Sequence, residues 1–381
     1  MPSISICCKT LADSVTLLCL FLALHILVLP YLCSNLSFSF YFNPEIHREL
    51  PDDNIDLTVP EGVAEEPRDE SIIAVLLLTS PRDQGYLSRT MLALYKELTI
   101  SPFRHKVYIC TADTDHAELM DMMNNIPGMV VMQPCTQSYC SQFKSEQKEQ
   151  KYIHDFTVCH KEVEEDLEGH VELILVMEDD VMVMPNIFST LSSTLNYNMR
   201  HLTTDPWLDI KLYKPPRLRG YAWDTEPLIE LLATSGLLAL LLDLVLTRVR
   251  IRIPKNYLYR YLILYCMVIV TLLTISRQHV MQWRRIHPQL YAWHGAPNFG
   301  TQAVLYNRTN LRDAVDYLKK GPSKSALDFA LSNFRHKNEL KGFCLEPNLV
   351  RHIGVSSSMG GKHQVDRDKG DLREFMVNYS I

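Results

Sequence analysis

The sequence has no excess of positive charge, because 38 lysine and arginine residues stand against 44 aspartate and glutamate residues, for a formal net charge of −6. A protein that coats nucleic acid depends on a basic face, so this balance argues against nucleic acid as a partner. Charged residues make up only 22% of the chain and hydrophobic residues 47%. This composition argues against general disorder and suits one large or two ordinary domains over 381 residues.

A phosphate-binding loop of the GxxxxGK[ST] type is also missing. The nearest candidate, Gly361 followed by Lys362, continues with His363 and has Ser356 where the first glycine is required. Nucleotide hydrolases that hold phosphate on such a loop are therefore disfavoured.

Charged residues are absent from residues 14–42 as well. At about 1.5 Å per residue, this stretch is long enough for a helix to cross the roughly 30 Å hydrocarbon core of a bilayer. Lys9, on the short flank before it, predicts a cytosolic N-terminus. The apolar run exceeds the roughly 7 to 15 residues of a signal-peptide core, so we expect a retained anchor, with a cleaved signal peptide as the alternative.

Two further stretches, residues 231–242 and 261–276, are apolar and uncharged, but each is shorter than the roughly 18 residues of a confident membrane span. The segment between them is basic, with Arg248, Arg250, Arg252 and Lys255. A helical hairpin that crosses the membrane and returns would place this basic segment in the cytosol, as the positive-inside rule requires. Two buried core helices joined by a basic loop are the alternative.

The remaining composition fits a lumenal location. Residues 43–70 combine acidic residues with several prolines and have little to bury, which predicts a solvated stem. Sequons at Asn307 and Asn378, together with ten cysteines, are typical of a lumenal domain with disulfides. Cys135 and Cys140 flank a short polar turn and are a candidate pair, although the sequence does not determine the pairing.

From Ser71 onward, strand-like and helix-like stretches alternate. Buried strands are predicted within residues 71–80, 105–113, 128–134 and 171–183. Apolar residues at helical spacing between Tyr86 and Leu98 predict a helix after the first strand. Strands separated by helices indicate an α/β fold with a parallel sheet, whose chemistry lies at the carboxyl ends of the strands.

Glu178, Asp179 and Asp180 directly follow the buried strand VELILVM. Three adjacent carboxylates repel one another at a strand end unless a cation joins them, and oxygen ligands of this kind suit magnesium or manganese. On the residues alone, a capped strand end without metal and the acidic cluster of a phosphorelay receiver remain alternatives.

Several motifs resemble known glycosyltransferases. An acidic triplet after a hydrophobic strand, behind an N-terminal anchor, resembles the DxD-type motif of GT-A enzymes, which hold a nucleotide-sugar diphosphate through a divalent metal. The segments EPNLVRHIGVSSSMGGK and AVLLLTSPRDQGYLSRTMLAL are similar to the N-acetylglucosaminyltransferase IV family. The hairpin together with PWLDIKLYKPPRLRGYAWDTEPL resembles instead the Golgi post-GPI-attachment N-acetylgalactosamine transferases, three-span enzymes that modify glycosylphosphatidylinositol (GPI) anchors. This similarity runs from the anchor to residue 365.

The resemblance implies an α/β fold, namely a GT-A-like glycosyltransferase domain with an N-terminal transmembrane anchor and an inserted transmembrane helical hairpin. The expected divisions are a cytosolic tail over residues 1–12, the anchor over 13–34, a lumenal stem over 35–70, the first part of the transferase domain over 71–226, the hairpin over 227–276, the second part of the domain over 277–365 and a C-terminal tail over 366–381.

The implied function is inverting, metal-dependent transfer of N-acetylgalactosamine from UDP-N-acetylgalactosamine (UDP-GalNAc) to a mannose of the GPI glycan. The metal would be manganese, or else magnesium, and the catalytic domain would lie in the lumen of the Golgi. GPI-anchored proteins and membrane lipid are the implied partners. Two other functions stay open: an N-acetylglucosaminyltransferase that branches N-glycans, and a non-enzymatic multispan scaffold with a degenerate transferase domain.

Matching positions imply the residues that bind the donor. Thr79, Ser80 and Arg82 follow the first strand, where GT-A enzymes hold the uridine nucleotide. Thr301 and Gln302 open the strand-like TQAVLY and are polar candidates for contact with the donor sugar. A polar loop and a strand start without function are the alternatives for these positions.

The metal and the proton acceptor are assigned in the same way. Asp180 matches the metal-bound carboxylate, with Asp179 and Glu178 contacting the metal through water or contacting donor hydroxyls. His352, in LVRHIG, matches a C-terminal position that reaches the metal or the diphosphate. Asp328, in KSALDFALSNF, resembles an Asp at a helix start that takes the acceptor proton in related inverting transferases.

Competing assignments remain for two sets of residues. Asp328 is an N-cap without chemistry in the alternative reading, and the nearby carboxylates that compete for its role are Asp313, Asp316 and Glu346. Four aromatic residues flank the hairpin in sequence and are expected to stack on sugar or to lie at the headgroup level, namely Trp207, Tyr213, Trp223 and Trp293.

Overall fold

The computed structural model describes residues 14–34, 39–40, 72–79, 86–111, 129–134, 148–167, 171–215, 218–221, 225–249, 256–320 and 325–354. The chain divides into two compact units. The helical unit contains the N-terminal helix and Pro215–Trp283, and the sheet unit contains Asp53–Lys214 and Arg284–Leu372. In sequence, the sheet unit is thus interrupted by the inserted segment Pro215–Trp283 and resumes after it.

The described residues form the strands β1 Ile72–Thr79, β2 Arg104–Thr111, β3 Met129–Met132, β4 Val171–Glu178, β5 Val181–Val183, β6 Trp207–Lys211, β7 Ala292–Gly295, β8 Ala303–Asn307, β9 Lys341–Glu346 and β10 Val350–His352. Eight of them make one sheet in the order β3-β2-β1-β4-β8-β6-β9-β7, and β5 pairs with β10 separately. The predicted α/β fold is confirmed.

The helices are α1 Ser14–Cys33, α2 Tyr86–Thr99, α3 Lys148–Asp166, α4 Ile187–Thr204, α5 Thr225–Arg248, α6 Tyr257–Ile275, α7 Arg277–Val280, α8 Arg308–Lys320 and α9 Leu327–Lys337. Both faces of the sheet are apolar. Val75 of β1 belongs to a core cluster that includes Met91 of α2, whereas Leu76 belongs to a cluster with Phe156 of α3 and Leu311 of α8. Burial on both faces explains the continuous apolar run of β1.

The sheet is mixed, which corrects the expectation of a parallel sheet. β1, β2, β3 and β4 are parallel to one another, and β6 is parallel to β9. β8 lies antiparallel between β4 and β6, and β7 lies antiparallel to β9. β8 therefore begins at the edge where β4 and β6 end, and because β7 runs in the same direction as β8, the segment after β7 crosses back to that edge before β8 begins.

The stretch 171–183, predicted as one strand, is two strands. Asp179 donates its backbone N–H to Leu78 O at 3.1 Å, and Asp180 O accepts from Ile353 N at 2.8 Å. These bonds to distant segments turn the chain at the acidic residues, so that β5 leaves the large sheet and pairs with β10. The two aspartates consequently lie at a corner between the sheets.

A disulfide joins Cys110 of β2 to Cys159 of α3, which confirms the expectation that this chain carries disulfides. The bond ties a helix of one outer layer to the sheet beneath it. The candidate pair Cys135 and Cys140 lies outside the residues that the structure describes.

Three helices are long and apolar enough to cross a membrane: α1 with 20 residues, α5 with 24 and α6 with 19. The chain is therefore that of a membrane protein, with an N-terminal apolar helix and an inserted pair of apolar helices. The second and third helices are longer than the uncharged stretches 231–242 and 261–276 on which their prediction rested.

Paired charges account for the extra length. Asp243 of α5 is buried and accepts from Arg260 of α6, with Nη2 and Oδ2 2.9 Å apart. Arg277, just after α6, is buried and lies 2.8 Å from Glu230 of α5. An ionised group within an apolar helix is tolerated when an opposite charge neutralises it, so α5 extends beyond Glu230 and Asp243, and α6 begins before Arg260.

The N-terminal helix packs against the inserted pair within the helical unit. Leu17 of α1 is buried in a cluster with Ala239 of α5 and Leu264 of α6. His25 Nε2 lies 3.2 Å from Thr271 Oγ1 of α6. The three apolar helices thus form one bundle.

Candidate active site

The carboxyl ends of the parallel strands place several polar residues along one edge of the large sheet, here called the carboxyl edge. β1 ends there at Thr79, β4 at Glu178, β6 at Lys211 and β9 at Glu346. β8 begins at the same edge, directly after Thr301 and Gln302. The topology therefore brings most of the predicted site residues to this edge, where ligands of open α/β sheets bind.

Asp179 is fixed by the first strand and its helix. Its side chain is 2% exposed, and Oδ2 accepts from Thr79 Oγ1 at 3.1 Å. Its backbone oxygen accepts from Thr90 Oγ1 of α2 at 2.7 Å. Thr90 was not singled out from sequence, where a threonine inside a helix carries no visible signal.

Glu178 is held by contacts from α3 and from the residues that precede β8. Its Oε1 accepts from Thr301 Oγ1 at 2.6 Å and from Tyr152 Oη of α3 at 3.4 Å. Its backbone N–H donates to Gln302 O at 2.9 Å. Burial, and after it the charge of Asp180, raises the pKa of Glu178 to about 7. The triplet is thus desolvated and self-repelling, an arrangement that favours a cation.

Asp180 and His352 meet as the sequence predicted. His352 Nε2 lies 3.3 Å from Asp180 Oδ2. The pairing of β5 with β10 sets this contact, because His352 stands opposite Val181, the residue after Asp180. The ring of Tyr213 lies with its centroid 6.1 Å from that of His352. A carboxylate and an imidazole therefore converge at the corner between the sheets.

The donor set was tested for its fit to a divalent metal. Among the residues that the structure describes, no group of three or more His, Cys, Asp or Glu side chains is arranged to hold a metal ion. Asp180 and His352 would supply two ligands, and magnesium commonly takes one or two carboxylates while phosphate oxygens and water complete its coordination. The side chains at this corner are compatible with a metal whose other ligands come from a substrate and water.

Gly354 is a site residue that sequence reasoning missed. A Cβ built on it would collide with Asp180 Oδ2 and would lie 2.9 Å from Asp180 Cγ and 3.1 Å from His352 Nε2. The backbone at this position therefore packs directly against the side chains of Asp180 and His352. Its place in the motif LVRHIG was the available signal.

Asp328 holds the loop that ends at Thr301. Its Oδ2 accepts from Gly300 N at 3.0 Å and its Oδ1 from Phe329 N at 2.8 Å. Gly300 has a φ of 92°, a conformation that glycine adopts without strain. Ala326, not Asp328, is the N-cap of α9, and Asp328 lies within the first turn. Asp328 thus lies at the start of the helix, as expected, but is not its N-cap, and its carboxylate binds the residue before Thr301.

Further contacts fix the same loop, residues 295–302. Arg335 of α9 binds Asp209 of β6 through Nη1 at 2.9 Å and Ala296 O through Nη2 at 3.2 Å. Ser332 Oγ donates to Asn298 Oδ1 at 2.7 Å.

Lys211, at the end of β6, completes this support because its Nζ donates to Phe299 O. Burial lowers the pKa of Lys211. The loop is thereby held at four successive points before Thr301 meets Glu178. Sequence reasoning missed these contacts, since they join three separate segments of the chain, namely β6, the loop and α9.

Glu346 is fully buried and does not stand open to an acceptor. Lys214 Nζ lies 3.1 Å from one of its oxygens and His294 Nε2 lies 3.2 Å from the other. The remaining competitors, Asp313 and Asp316, occupy exposed positions of α8, where Asp316 pairs with Lys319 at 3.5 Å. Ser80 and Arg82 lie outside the described residues.

The flanking aromatic residues serve packing. Trp207 and Tyr213 are buried in the core of the sheet unit, because Trp207 begins the buried strand β6. Trp293 packs edge-on against Phe343, with ring centroids 5.6 Å apart. The expectation of stacking on sugar or lying at headgroup level is therefore not met for the buried Trp207 and Tyr213, whereas for the partly buried Trp293 it stays a prediction. Trp223 lies outside the described residues.

A comparison with profiles of protein families matches residues 72–351 to the family described as GPI-N-acetylgalactosamine transferase PGAP4. The match begins with β1, includes the acidic triplet and both inserted helices, and ends within β10. It covers well over half of the 381 residues. The chain therefore belongs to the PGAP4 family of GPI-N-acetylgalactosamine transferases.

Proposed function

We propose that the protein transfers N-acetylgalactosamine from UDP-GalNAc to a mannose of the GPI glycan, with inversion at the anomeric carbon and with a divalent metal, manganese or magnesium. Membership of the PGAP4 family supports the sugar and the acceptor. The observation that carries the metal-dependent reaction is the contact of Asp180 with His352, beside Glu178 and Asp179, at the carboxyl edge.

Asp180 and His352 would hold the metal, which when bound supplies positive charge to the departing diphosphate. Asp179, fixed by Thr79, and Glu178, fixed by Thr301, stand beside this pair and need no movement to contact metal-bound water or donor hydroxyls. Thr79, Ser80 and Arg82 would bind the uridine nucleotide, and Thr301 and Gln302 the donor sugar.

The acceptor hydroxyl must lose its proton as it attacks, and Asp328 is the proposed proton acceptor. Two backbone N–H groups, from Gly300 and Phe329, fix the direction of this carboxylate. Gly300, which donates to this carboxylate, directly precedes Thr301, and Thr301 contacts Glu178, so Asp328 is next to the residues proposed to bind the donor sugar. A single displacement with one such base inverts the anomeric carbon.

We place the protein in the Golgi membrane with the sheet unit in the lumen. The Cys110–Cys159 disulfide supports an oxidising compartment. The inserted helices return the chain to the side it left, with a basic segment between them, which agrees with the positive-inside rule. A GPI glycan is tethered to lipid. The membrane helices that precede the sheet unit in sequence and interrupt it would keep this unit near GPI-anchored acceptors.

The test is a donor assay with the full-length protein in detergent. We expect hydrolysis of UDP-GalNAc, faster than that of UDP-N-acetylglucosamine or UDP-glucose, loss of activity with EDTA, and recovery with Mn²⁺ or Mg²⁺. Addition of a GPI glycan should yield a β-linked product. Preference for UDP-N-acetylglucosamine with an N-glycan acceptor, or no turnover of any UDP-sugar, would overturn the proposal in favour of a branching enzyme or a scaffold.

A further inference from the structure

A second group of charged side chains lies at the carboxyl edge, and the mechanism above does not use it. It consists of Glu346 of β9, Lys214 after β6 and His294 of β7, here called the Glu346 cluster. Glu346 is 0% exposed, with Lys214 Nζ at 3.1 Å and His294 Nε2 at 3.2 Å from its two oxygens. A fully buried carboxylate requires such partners, so the three side chains act as one unit.

The backbone holds this cluster in place. The N–H of Lys214 donates to Asn348 Oδ1 at 3.0 Å, and Asn348 Nδ2 donates to Lys214 O at 2.9 Å. Arg285 Nη2 donates to Asn348 O at 2.7 Å. His294 stands opposite Cys344 in the antiparallel pairing of β7 with β9. The main chain that carries Lys214 and His294 is therefore held in place, and the cluster does not consist of flexible surface side chains.

The order of the strands places the cluster beyond the donor. Along the carboxyl edge, the proposed nucleotide site lies at β1, the metal-binding pair follows β4, and the proposed donor-sugar residues precede β8. The next strands in order are β6, β9 and β7, and neighbouring strands lie about 4.8 Å apart. These three strands carry the Glu346 cluster. The side of the donor sugar away from its nucleotide is where an acceptor has to approach.

We infer that His294, oriented by Glu346, binds a hydroxyl group of the acceptor sugar. His294 retains 17% exposure of its side chain, more than Lys214 at 11% or Glu346 at 0%. A carboxylate at Nε2 fixes the orientation of an imidazole ring. Glu346 and Lys214 are positioning residues for this histidine. This inference rests on the proposed function and deepens it, because it assigns the acceptor side of the same site.

The test compares acceptor binding with donor turnover. His294→Gln and Glu346→Gln are measured in the full-length protein by calorimetric titration with a lipid-free GPI glycan, by the KM for that glycan, and by hydrolysis of UDP-GalNAc alone. We expect acceptor binding to weaken about tenfold or more, which corresponds to the loss of one good hydrogen bond, with donor hydrolysis within about twofold of wild type. The double variant should bind no worse than His294→Gln, because both residues act through one ring.

His105 is an exposed histidine near the start of β2, at the opposite edge of the same sheet. The matched control is therefore His105→Gln, which should leave acceptor binding, KM and donor hydrolysis unchanged. Wild-type affinity for the acceptor in His294→Gln would overturn the inference, and so would an equal loss of donor hydrolysis. If Glu346→Gln fails to fold, as judged by thermal unfolding, His294→Asn with Glu346 intact decides. The proposed function fails separately, when wild type turns over no UDP-sugar, since the calorimetric comparison needs no turnover.

Discussion

Asp180 and His352 lie 3.3 Å apart although they come from the two separate stretches of sequence that make up the sheet unit. The short pairing of β5 with β10 brings them together, and Ile353 N completes the corner with a bond to Asp180 O. The contact consists of one acidic oxygen and one imidazole nitrogen. Five experiments test this arrangement and its surroundings.

The first replaces Asp179 and Asp180 together by alanine. Transfer should be abolished while the protein still folds, since relief of the repulsion among Asp179, Asp180 and Glu178 offsets the loss of the contacts with Thr79 and His352. Initial rates with UDP-GalNAc and the unfolding temperature are the readouts. Asp313→Ala, at an exposed position of α8, is the control. Full activity of the double variant would remove the central claim about this site.

The second concerns Gly354. Gly354→Ala forces a Cβ against Asp180 Oδ2 and close to His352 Nε2, so we expect the Mn²⁺ concentration for half-maximal activity to rise about tenfold or more. Gly295→Ala is the matched control, because a Cβ there meets no atom within 4 Å. Equal metal dependence of the two variants would show that the approach of Gly354 is irrelevant to the metal.

The third tests the proposed base. Asp328→Asn keeps an oxygen for a backbone N–H but cannot accept a proton, so transfer should fall by about 10²-fold or more, while affinity for UDP-GalNAc and the unfolding temperature stay close to wild type. Single-turnover transfer and donor titration separate these effects. A wild-type transfer rate would place the base elsewhere, and Glu346 with its contact His294 would be examined next.

The fourth addresses membrane topology. In sealed vesicles, a tag inserted near Pro254, between α5 and α6, should be cleaved by a protease added outside, on the cytosolic side. A tag after Ile381 should be protected, since two crossings return the chain to the lumen. Equal protection of both tags would mean that the chain crosses the membrane once and that α5 and α6 are core helices.

The fifth uses pH. Burial lowers the pKa of His160 of α3 to about 4, from its ordinary value of 6.5. The unfolded chain then binds a proton that the folded chain does not, so this contribution to stability is complete above pH 6.5 and is lost as the pH falls from 6.5 to 4. The loss amounts to up to about 3 kcal/mol. In His160→Gln, the free energy of unfolding measured with urea should depend less on pH between 4 and 6.5 than in the wild type. A pH dependence equal to that of the wild type would contradict the lowered pKa of His160.

Local patterns were sufficient to predict β1 to β4 and the position of the acidic triplet at the end of β4. β1 and β4 are buried on both faces, and burial on both faces leaves an unbroken apolar run in the sequence. The break after β4 was not predictable in the same way, because Val181–Val183 is as apolar as the strand before it. Bonds to Leu78 and Ile353, far away in the chain, create that turn.

Long-range contacts also explain what the sequence left open at the site. His294 meets Glu346 only because β7 pairs with β9, and Arg335 reaches Ala296 only because α9 packs beside the loop. The lengths of α5 and α6 depend likewise on charges that pair across the two helices. No periodicity within one segment reports such pairings.

The packing of α1 against α5 and α6 has a consequence for any shortened form of the protein. A single-anchor enzyme becomes a secreted one when a protease cuts its stem. Here a cut within residues 43–70 would leave α5 and α6 in the remaining chain, so no catalytic fragment would be shed from the membrane. Deleting α1 outright would in addition expose Ala239 and Leu264, which Leu17 helps to bury, to lipid, and would remove the van der Waals contacts of α1 with the other two helices.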